Sequence, residues 1–176
     1  MIEMIRAFGP NQDLGKYLRT LDTVVRINGI VFLHGGISPA VAPMTCTEIN
    51  ETVRRELGPD FDKTKAAPSQ SLAAREDGPL WYRGLATEPD QFAPEVKKIL
   101  AAQQARAIVA GHSVVPGTIR PRFDNTVFLI DTGMQPAYVP GGRASALEIR
   151  GDVVTAIYTD SRQVIAGSSV VSGGVR

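Results

Sequence analysis

The two histidines of the chain occupy similar positions, and both could carry chemistry. His34 follows the apolar run Val31–Leu33, and His112 follows Ala107–Ala110 and one glycine. Short apolar runs that end in glycine predict buried strands. Ligands bind at the carboxyl ends of strands in open α/β sheets, so both imidazoles are predicted at such an edge, where they could coordinate a divalent ion or carry a proton. The alternative for each is a structural histidine that caps a core strand.

If both histidines bind one ion at about 2.1 Å, their ring nitrogens should lie within roughly 3–4 Å of each other. Hydrolytic metal centres usually have three or more protein ligands and a water, so two histidines are an incomplete set. Asp131, just after the predicted strand 127–130, is a further candidate. An aspartate before Thr-Gly more often hydrogen-bonds within its own turn, and the turn is the favoured interpretation.

The segment Asp77–Gly84 combines turn-forming Gly and Pro with the one tryptophan of the chain. Its arginine, Arg83, has two interpretations. It is either a surface cation stacked on Trp81 or Tyr82, or a planar cation held rigidly beside a phosphate by an aromatic-anchored loop.

Local patterns predict the elements that position these residues. Asn28-Gly29 between two apolar runs predicts a β-hairpin that ends at His34, and Thr45 with Glu48 forms a capping box. A helix is predicted after Asp13, with Leu14, Tyr17, Leu18 and Leu21 in the core, and a second helix is predicted from 45 to Leu57. Residues 59–76 are predicted to form a surface excursion that covers the mouth of the site and contains a short helix at 70–75. The remaining predicted elements are a helix over 94–104, strands 107–110 and 127–130, and a hairpin of 146–149 with 153–158.

Four segments together resemble successive motifs of the calcineurin-like metallophosphoesterases: VFLHGGISP (31–39), DGPLWYR (77–83), VAGHS (109–113) and IDTGM (130–134). The likeness is closest to the Shewanella-like phosphoprotein phosphatases and to the related symmetrical dinucleoside tetraphosphatases. It runs in unbroken order over about residues 13–150, which is more specific than any single motif.

The resemblance implies an α/β fold that forms the C-terminal portion of a two-sheet αββα sandwich. It also implies hydrolysis of phosphoric monoesters by metal-activated water, with a dinuclear centre of Mn, Fe or Zn. His34 and His112 match two histidine ligands of one metal, and Arg83 matches an arginine that binds the substrate phosphate. The expected substrate is a phosphorylated protein or small molecule, and a dinucleoside tetraphosphate is the alternative.

The chain departs from this family in its earlier motifs. Asp-x-His, Gly-Asp-x-x-Asp-Arg-Gly and Gly-Asn-His-Glu, which supply the remaining metal ligands and the catalytic histidine, are absent from the sequence. No catalytic residue is therefore assigned. The chain resembles the C-terminal half of such an enzyme, and the second hypothesis is a non-catalytic half-domain that binds a partner or self-associates through unpaired sheet edges.

Composition is that of a globular piece of one domain, with 43% hydrophobic and 21% charged residues. Residues 1–160 are predicted to form the C-terminal part of a phosphoesterase domain, and 161–176 a flexible polar tail. A net charge of +1 argues against nucleic-acid and anionic-membrane partners. The single Cys46 and a charged N-terminal stretch without signal-peptide character favour the cytoplasm for a chain that begins at Met1.

Overall fold

The computed structural model describes residues 6–9 and 11–167. The α-helices that bear on the site are α1 (Asp13–Leu18), α2 (Cys46–Glu56), α3 (Phe61–Ala66), α4 (Gly84–Thr87) and α5 (Ala93–Ala102), with 3₁₀ turns at Pro68–Gln70 and Asp90–Phe92. The strands are β1 (Val24–Ile27), β2 (Ile30–Leu33), β3 (Ala107–Ala110), β4 (Arg120–Arg122), β5 (Val127–Leu129), β6 (Ser145–Arg150), β7 (Val153–Tyr158) and β8 (Arg162–Ala166).

The strands form two sheets. The first is five-stranded, in the order β1-β2-β3-β5-β4, and the second is three-stranded, in the order β6-β7-β8. In the first sheet β2, β3 and β5 are parallel, whereas β1 and β4 run antiparallel to their neighbours. The carboxyl ends of the three parallel strands therefore meet at one edge.

The first sheet has an apolar face on each side, because successive side chains of a strand point to opposite faces. On one face Val31, Ile108 and Leu129 pack with residues of α2 and α5. On the other, Val109 and Phe128 pack against Val154 of the second sheet. The result is three layers, helix, sheet and sheet, and the predicted α/β two-sheet sandwich is confirmed.

Local signals explain several element boundaries. Asn28 and Gly29 both have positive φ, 51° and 73°, as a tight β1–β2 turn requires. The predicted capping box is present at the start of α2, where Thr45 and Glu48 satisfy each other's backbone N–H groups. Among the described residues, no helix has the length and apolar character needed to cross a membrane.

Three sequence predictions were wrong. The helix after Asp13 exists, but its apolar residues are not core: Leu14, Tyr17, Leu18 and Leu21 are 46–61% exposed. They are exposed because no described element covers them.

Residues 70–75 form turns, and the α-helix of this excursion lies earlier, at Phe61–Ala66. Leu72 and Ala73 are buried, so this segment also contributes to the core. The predicted tail from 161 is also wrong in part, because Arg162–Ala166 pair with β7. Residues 168–176 of that tail lie outside the described residues.

Candidate functional site

The candidate site lies at the carboxyl edge of the parallel strands. His34 directly follows β2, His112 follows β3 after one glycine, and Asp131 follows β5 after one residue. The register pairs Leu33 with Ala110, and Ala110 with Leu129. Because these last strand residues are level across the sheet, the three residues that follow them emerge at the same edge.

The two histidine rings are in direct contact. His34 Nε2 lies 2.9 Å from His112 Nδ1, and the ring centroids are 4.5 Å apart with the planes tilted by 52°. His112 has a φ of 62°, a left-handed conformation uncommon outside glycine. The predicted approach of the two rings is therefore present in the structure, and their role as metal ligands stays a prediction.

The short contact constrains protonation, because one of the two nitrogens must donate a hydrogen and the other must accept it. Burial lowers the pKa of His112 below 6.5, as do the charges of Arg83 and His34, whereas Asp131 raises it. All three lowering effects favour the neutral imidazole. The neutral form is the one that coordinates metals.

The loop that carries Arg83 is fixed against His112. The Trp81 indole N–H donates to the Ala73 carbonyl at 3.1 Å, and the indole meets the His112 ring edge-on with centroids 5.6 Å apart. Arg83 is exposed and its Nη1 donates to the His112 carbonyl oxygen at 3.4 Å. Among the described residues, the guanidinium groups found over aromatic rings are those of Arg122 and Arg143, so the stacking predicted as an alternative for Arg83 is not observed.

Glycine after His34 allows this loop to approach. The N–H groups of Gly35 and Gly36 donate to the Pro79 carbonyl at 3.0 and 3.3 Å. A Cβ on Gly35 would lie 2.8 Å from backbone atoms of Pro79 and Leu80. The close packing of strand end and loop therefore requires glycine at 35.

Two cavities adjoin this edge. One, of about 500 Å³, lies beside Trp81 and Arg83 and is also lined by Ala74 and Glu76. The other, of about 650 Å³, reaches His34 and is lined mainly by apolar side chains that include Phe8, Leu18, Leu21, Phe32, Leu57 and Phe61. The first provides space next to the arginine, and the second is an uncovered apolar surface next to the histidine.

The spacing of the two histidine nitrogens fits two ligands of one metal ion, but the described residues do not supply a complete ligand set. Two bonds of about 2.1 Å that meet at roughly 90–109° separate their nitrogens by about 3.0–3.4 Å, close to the observed 2.9 Å. Asp131 instead accepts the Gly133 N–H at 3.1 Å, the turn interaction that was favoured for it. The described residues contain no group of three or more His, Cys, Asp or Glu side chains placed to hold a metal. They therefore do not fit a dinuclear centre by themselves.

Two features of the site were missed by sequence reasoning. The contact of Trp81 with His112 joins residues 31 positions apart and leaves no local signal. Strand β4 was missed because Pro121 at its centre argues against a strand; it is an edge strand, where proline is tolerated.

Taken together, these contacts place an imidazole pair and an arginine at the carboxyl edge of a mixed-sheet sandwich. No protein-family profile matches the chain. The chain is 29% identical over 130 residues to Shewanella-like protein phosphatase 1 of Plasmodium berghei, a match that covers 71% of this chain and 36% of that protein. It is 31% identical over 134 residues to an uncharacterised protein of Schizosaccharomyces pombe, covering 74% of this chain and 40% of the other.

Solved structures agree on the fold. The cold-active protein tyrosine phosphatase of a psychrophilic Shewanella species superimposes with a TM-score of 0.76 at 24% identity, over 91% of this chain and 47% of that one. A point mutant of a cold-active protein tyrosine phosphatase gives a TM-score of 0.78 with the same coverage. The resemblance to Shewanella-like phosphatases is thus confirmed, and the chain spans less than half the length of the relatives it matches.

Proposed function

We propose that this chain is the C-terminal part of a metal-dependent phosphatase that hydrolyses phosphoric monoesters of proteins. The observation that carries the proposal is the 2.9 Å approach of His34 Nε2 to His112 Nδ1 at the sheet edge. Arg83 lies on the adjoining loop, with its guanidinium next to the His112 backbone. One edge thus brings together two imidazole nitrogens and one guanidinium, the groups that the proposal requires for a metal ion and a phosphate.

The roles follow from the chemistry of each group. His34 and His112 would hold one ion through neutral imidazoles, and mixed nitrogen and oxygen ligation suits Mn, Fe or Zn. When bound, divalent ions supply Lewis acidity and lower the pKa of a coordinated water. Arg83 would bind the phosphate oxygens and offset their charge, held in place by the aromatic anchor at Trp81.

The remaining ligands are proposed to come from a segment outside this chain. Two neutral imidazoles provide no anionic oxygen to offset the charge of two divalent ions. Asp131 is engaged in its own turn. The matched relatives are more than twice as long as the region they share with this chain, which leaves room in such proteins for the missing ligands.

The cavity next to Arg83 supports a phosphorylated side chain as the substrate. At about 500 Å³, and open beside the half-exposed Trp81, it has space for the leaving group of a phosphomonoester whose phosphate is held by Arg83. The name of the solved Shewanella enzyme, a protein tyrosine phosphatase, agrees with this choice. A symmetrical dinucleoside tetraphosphate remains the alternative substrate.

A second candidate is a non-catalytic half-domain that binds a partner. The apolar cavity beside His34 and the exposed apolar residues of α1 favour it. A complementary chain that covers this surface would also lie next to the histidine pair. Self-association through unpaired sheet edges is the other form of this hypothesis.

One experiment tests the incomplete ligand set that both candidates share. The 176-residue chain is loaded with Mn²⁺ and assayed on an aryl phosphate beside a His34→Ala control, and we expect no His34-dependent rate because the ligand set is incomplete. A clear His34-dependent rate from a monodisperse monomer would contradict the half-domain interpretation.

The sequence encoded upstream of Met1 is the second observation. The enzyme would be favoured if this upstream sequence encodes, in frame, the motifs Asp-x-His, Gly-Asp-x-x-Asp-Arg-Gly and Gly-Asn-His-Glu. The half-domain would be favoured if these motifs are absent from it.

The role of Arg83 is tested in a protein extended to include those motifs. Arg83→Ala should lower kcat/KM by roughly ten- to a hundredfold, the loss expected for about 1.5–3 kcal/mol of phosphate interaction. Metal content, measured by elemental analysis, should not change. The control is Lys97→Ala, which removes an exposed cation of α5. Loss of metal from the Arg83 variant would mean that its role is structural.

A further inference from the structure

Arg122 is a buried arginine that the proposed chemistry does not use. It ends the edge strand β4 and is 8% exposed. Its Nη1 donates to the Leu85 carbonyl at 3.0 Å, and its Nη2 donates to the Glu88 carbonyl at 2.6 Å and to Asp90 Oδ1 at 3.1 Å. The guanidinium also lies 4.3 Å from the centroid of the Phe123 ring. The side-chain hydrogen bonds of Arg122 are thus made to the segment that follows Arg83.

That segment begins with the short helix α4, and Arg83 is the N-cap residue of this helix. The Arg83 carbonyl accepts the N–H groups of Ala86 and Thr87 at 2.8 and 3.0 Å. A helix of four residues is not stable by itself, because nucleation costs more than one turn of hydrogen bonds returns. Its geometry must therefore be held from outside.

Arg122 holds α4 at the opposite end from Arg83. The Leu85 and Glu88 carbonyls belong to the last turn, where backbone oxygens lack helical partners and a cation is favourable. Arg122 pairs with Val127 of β5, and β5 pairs with β3, which leads to His112. The guanidinium therefore ties the helix that carries Arg83 to the sheet that carries the histidine.

We propose that Arg122 is a positioning residue for Arg83: it fixes α4 on the sheet and so sets the place of the Arg83 guanidinium beside His112. This inference rests on the proposed function, in which Arg83 binds the substrate phosphate. The hydrogen bonds from Arg122 to the Leu85 and Glu88 carbonyls are the ones that hold α4 in place. The ion pair with Asp90 adds little, because the Asp90 side chain is 91% exposed and solvent screens it.

The matched variants are Arg122→Gln, Arg122→Lys and Asp90→Asn. The glutamine variant loses the planar fork that bridges two carbonyls, and the lysine variant keeps the charge but not the fork. The asparagine variant removes only the exposed ion pair and serves as the control. Arg122→Lys also guards against a folding failure of Arg122→Gln.

Amide hydrogen exchange on the 176-residue chain tests the hold on α4. Exchange of the Ala86, Thr87 and Glu88 amides should accelerate about tenfold or more in Arg122→Gln and less in Arg122→Lys. It should stay unchanged in Asp90→Asn, and the Val96 amide of α5 should stay unchanged in all three. Unaltered exchange of the α4 amides in both Arg122 variants would overturn the proposal.

Binding of inorganic phosphate tests the link to Arg83, with the emission of Trp81 as the signal. Arg122→Gln should weaken phosphate binding about tenfold, as expected when a charged hydrogen bond to the anion is misplaced. In an Arg83→Gln background the same change should add no further loss, because Arg122 acts only through Arg83. Equal losses with and without Arg83 would overturn the positioning role alone. Failure of the parent chain to bind phosphate would overturn the phosphate-binding role of Arg83 in the proposed function, and this inference with it.

Discussion

Replacement of Gly35 by alanine should displace the loop that carries Trp81 and Arg83. A Cβ at this position would lie 2.8 Å from the Pro79 carbonyl oxygen and from the Leu80 carbonyl carbon. That is about 0.6 Å inside the 3.4 Å at which ordinary contact begins. All the neighbouring atoms within 3 Å are backbone, so no side chain can rotate away and the loop itself must move.

The expected decrease in the free energy of unfolding has two contributions. Overpacking of a tight contact costs about 1–3 kcal/mol, and a loop shift of this size also stretches the bonds from Gly35 and Gly36 to the Pro79 carbonyl, each worth about 0.5–1.5 kcal/mol. The lower backbone entropy of alanine in the unfolded state returns about 0.4–1 kcal/mol. Gly35→Ala should therefore lower the free energy of unfolding by about 1–5 kcal/mol.

The assay is urea unfolding followed by the emission of Trp81, the only tryptophan, which reports on this loop. The matched control is Gly111→Ala beside the other histidine, where the new Cβ meets the His34 carbonyl oxygen at an ordinary 3.4 Å. That variant should change stability by less than about 0.5 kcal/mol. Equal effects of the two substitutions, or native emission unchanged in Gly35→Ala, would refute the reasoning.

Two further predictions concern the buried Asn50 and the half-buried His112. Asn50→Ala should lower the free energy of unfolding, measured in urea, by about 2–4 kcal/mol. The reason is that the Asn50 side chain accepts hydrogen bonds from the N–H groups of Thr23 and Val24 and donates one to the Val24 carbonyl. The control Glu51→Ala, at an exposed neighbouring position, should change this free energy little. The pKa of His112 is lowered below 6.5 by burial first, then by Arg83 and His34, so just below that pH the unfolded chain binds more protons than the folded one. Stability should therefore rise as the pH increases towards 6.5, and His112→Gln should flatten the rise in a series of unfolding curves; an identical pH profile in that variant would contradict the assignment.

Elements with strong local signals were predictable from the sequence. The Asn28-Gly29 hairpin and the Thr45–Glu48 capping box lie where predicted, because turn and cap chemistry depend on neighbouring residues. The meeting of His34 and His112 was also predictable, since two apolar runs that end alike became neighbouring parallel strands. These features needed no knowledge of distant packing.

The parts that failed depend on contacts between distant segments. The apolar residues of α1 have the period of a core helix, but burial needs a partner surface, and the described chain leaves Leu14 and Tyr17 more than half exposed. The residues of β8 have no distinctive sequence pattern, and they form a strand because they pair with β7. Arg122 gave no signal because its partners, Leu85 and Glu88, lie more than 30 residues away.

The most direct test of the account is a zinc titration of the ¹⁵N-histidine-labelled chain, followed by NMR of the imidazole nitrogens. With only two histidines, the spectrum shows each ring separately. We expect the signals of His34 and His112 to shift together and to saturate at one ion per chain, and we expect His34→Ala to weaken the response of His112. Independent shifts of the two rings, or a response from only one of them, would contradict the shared metal site.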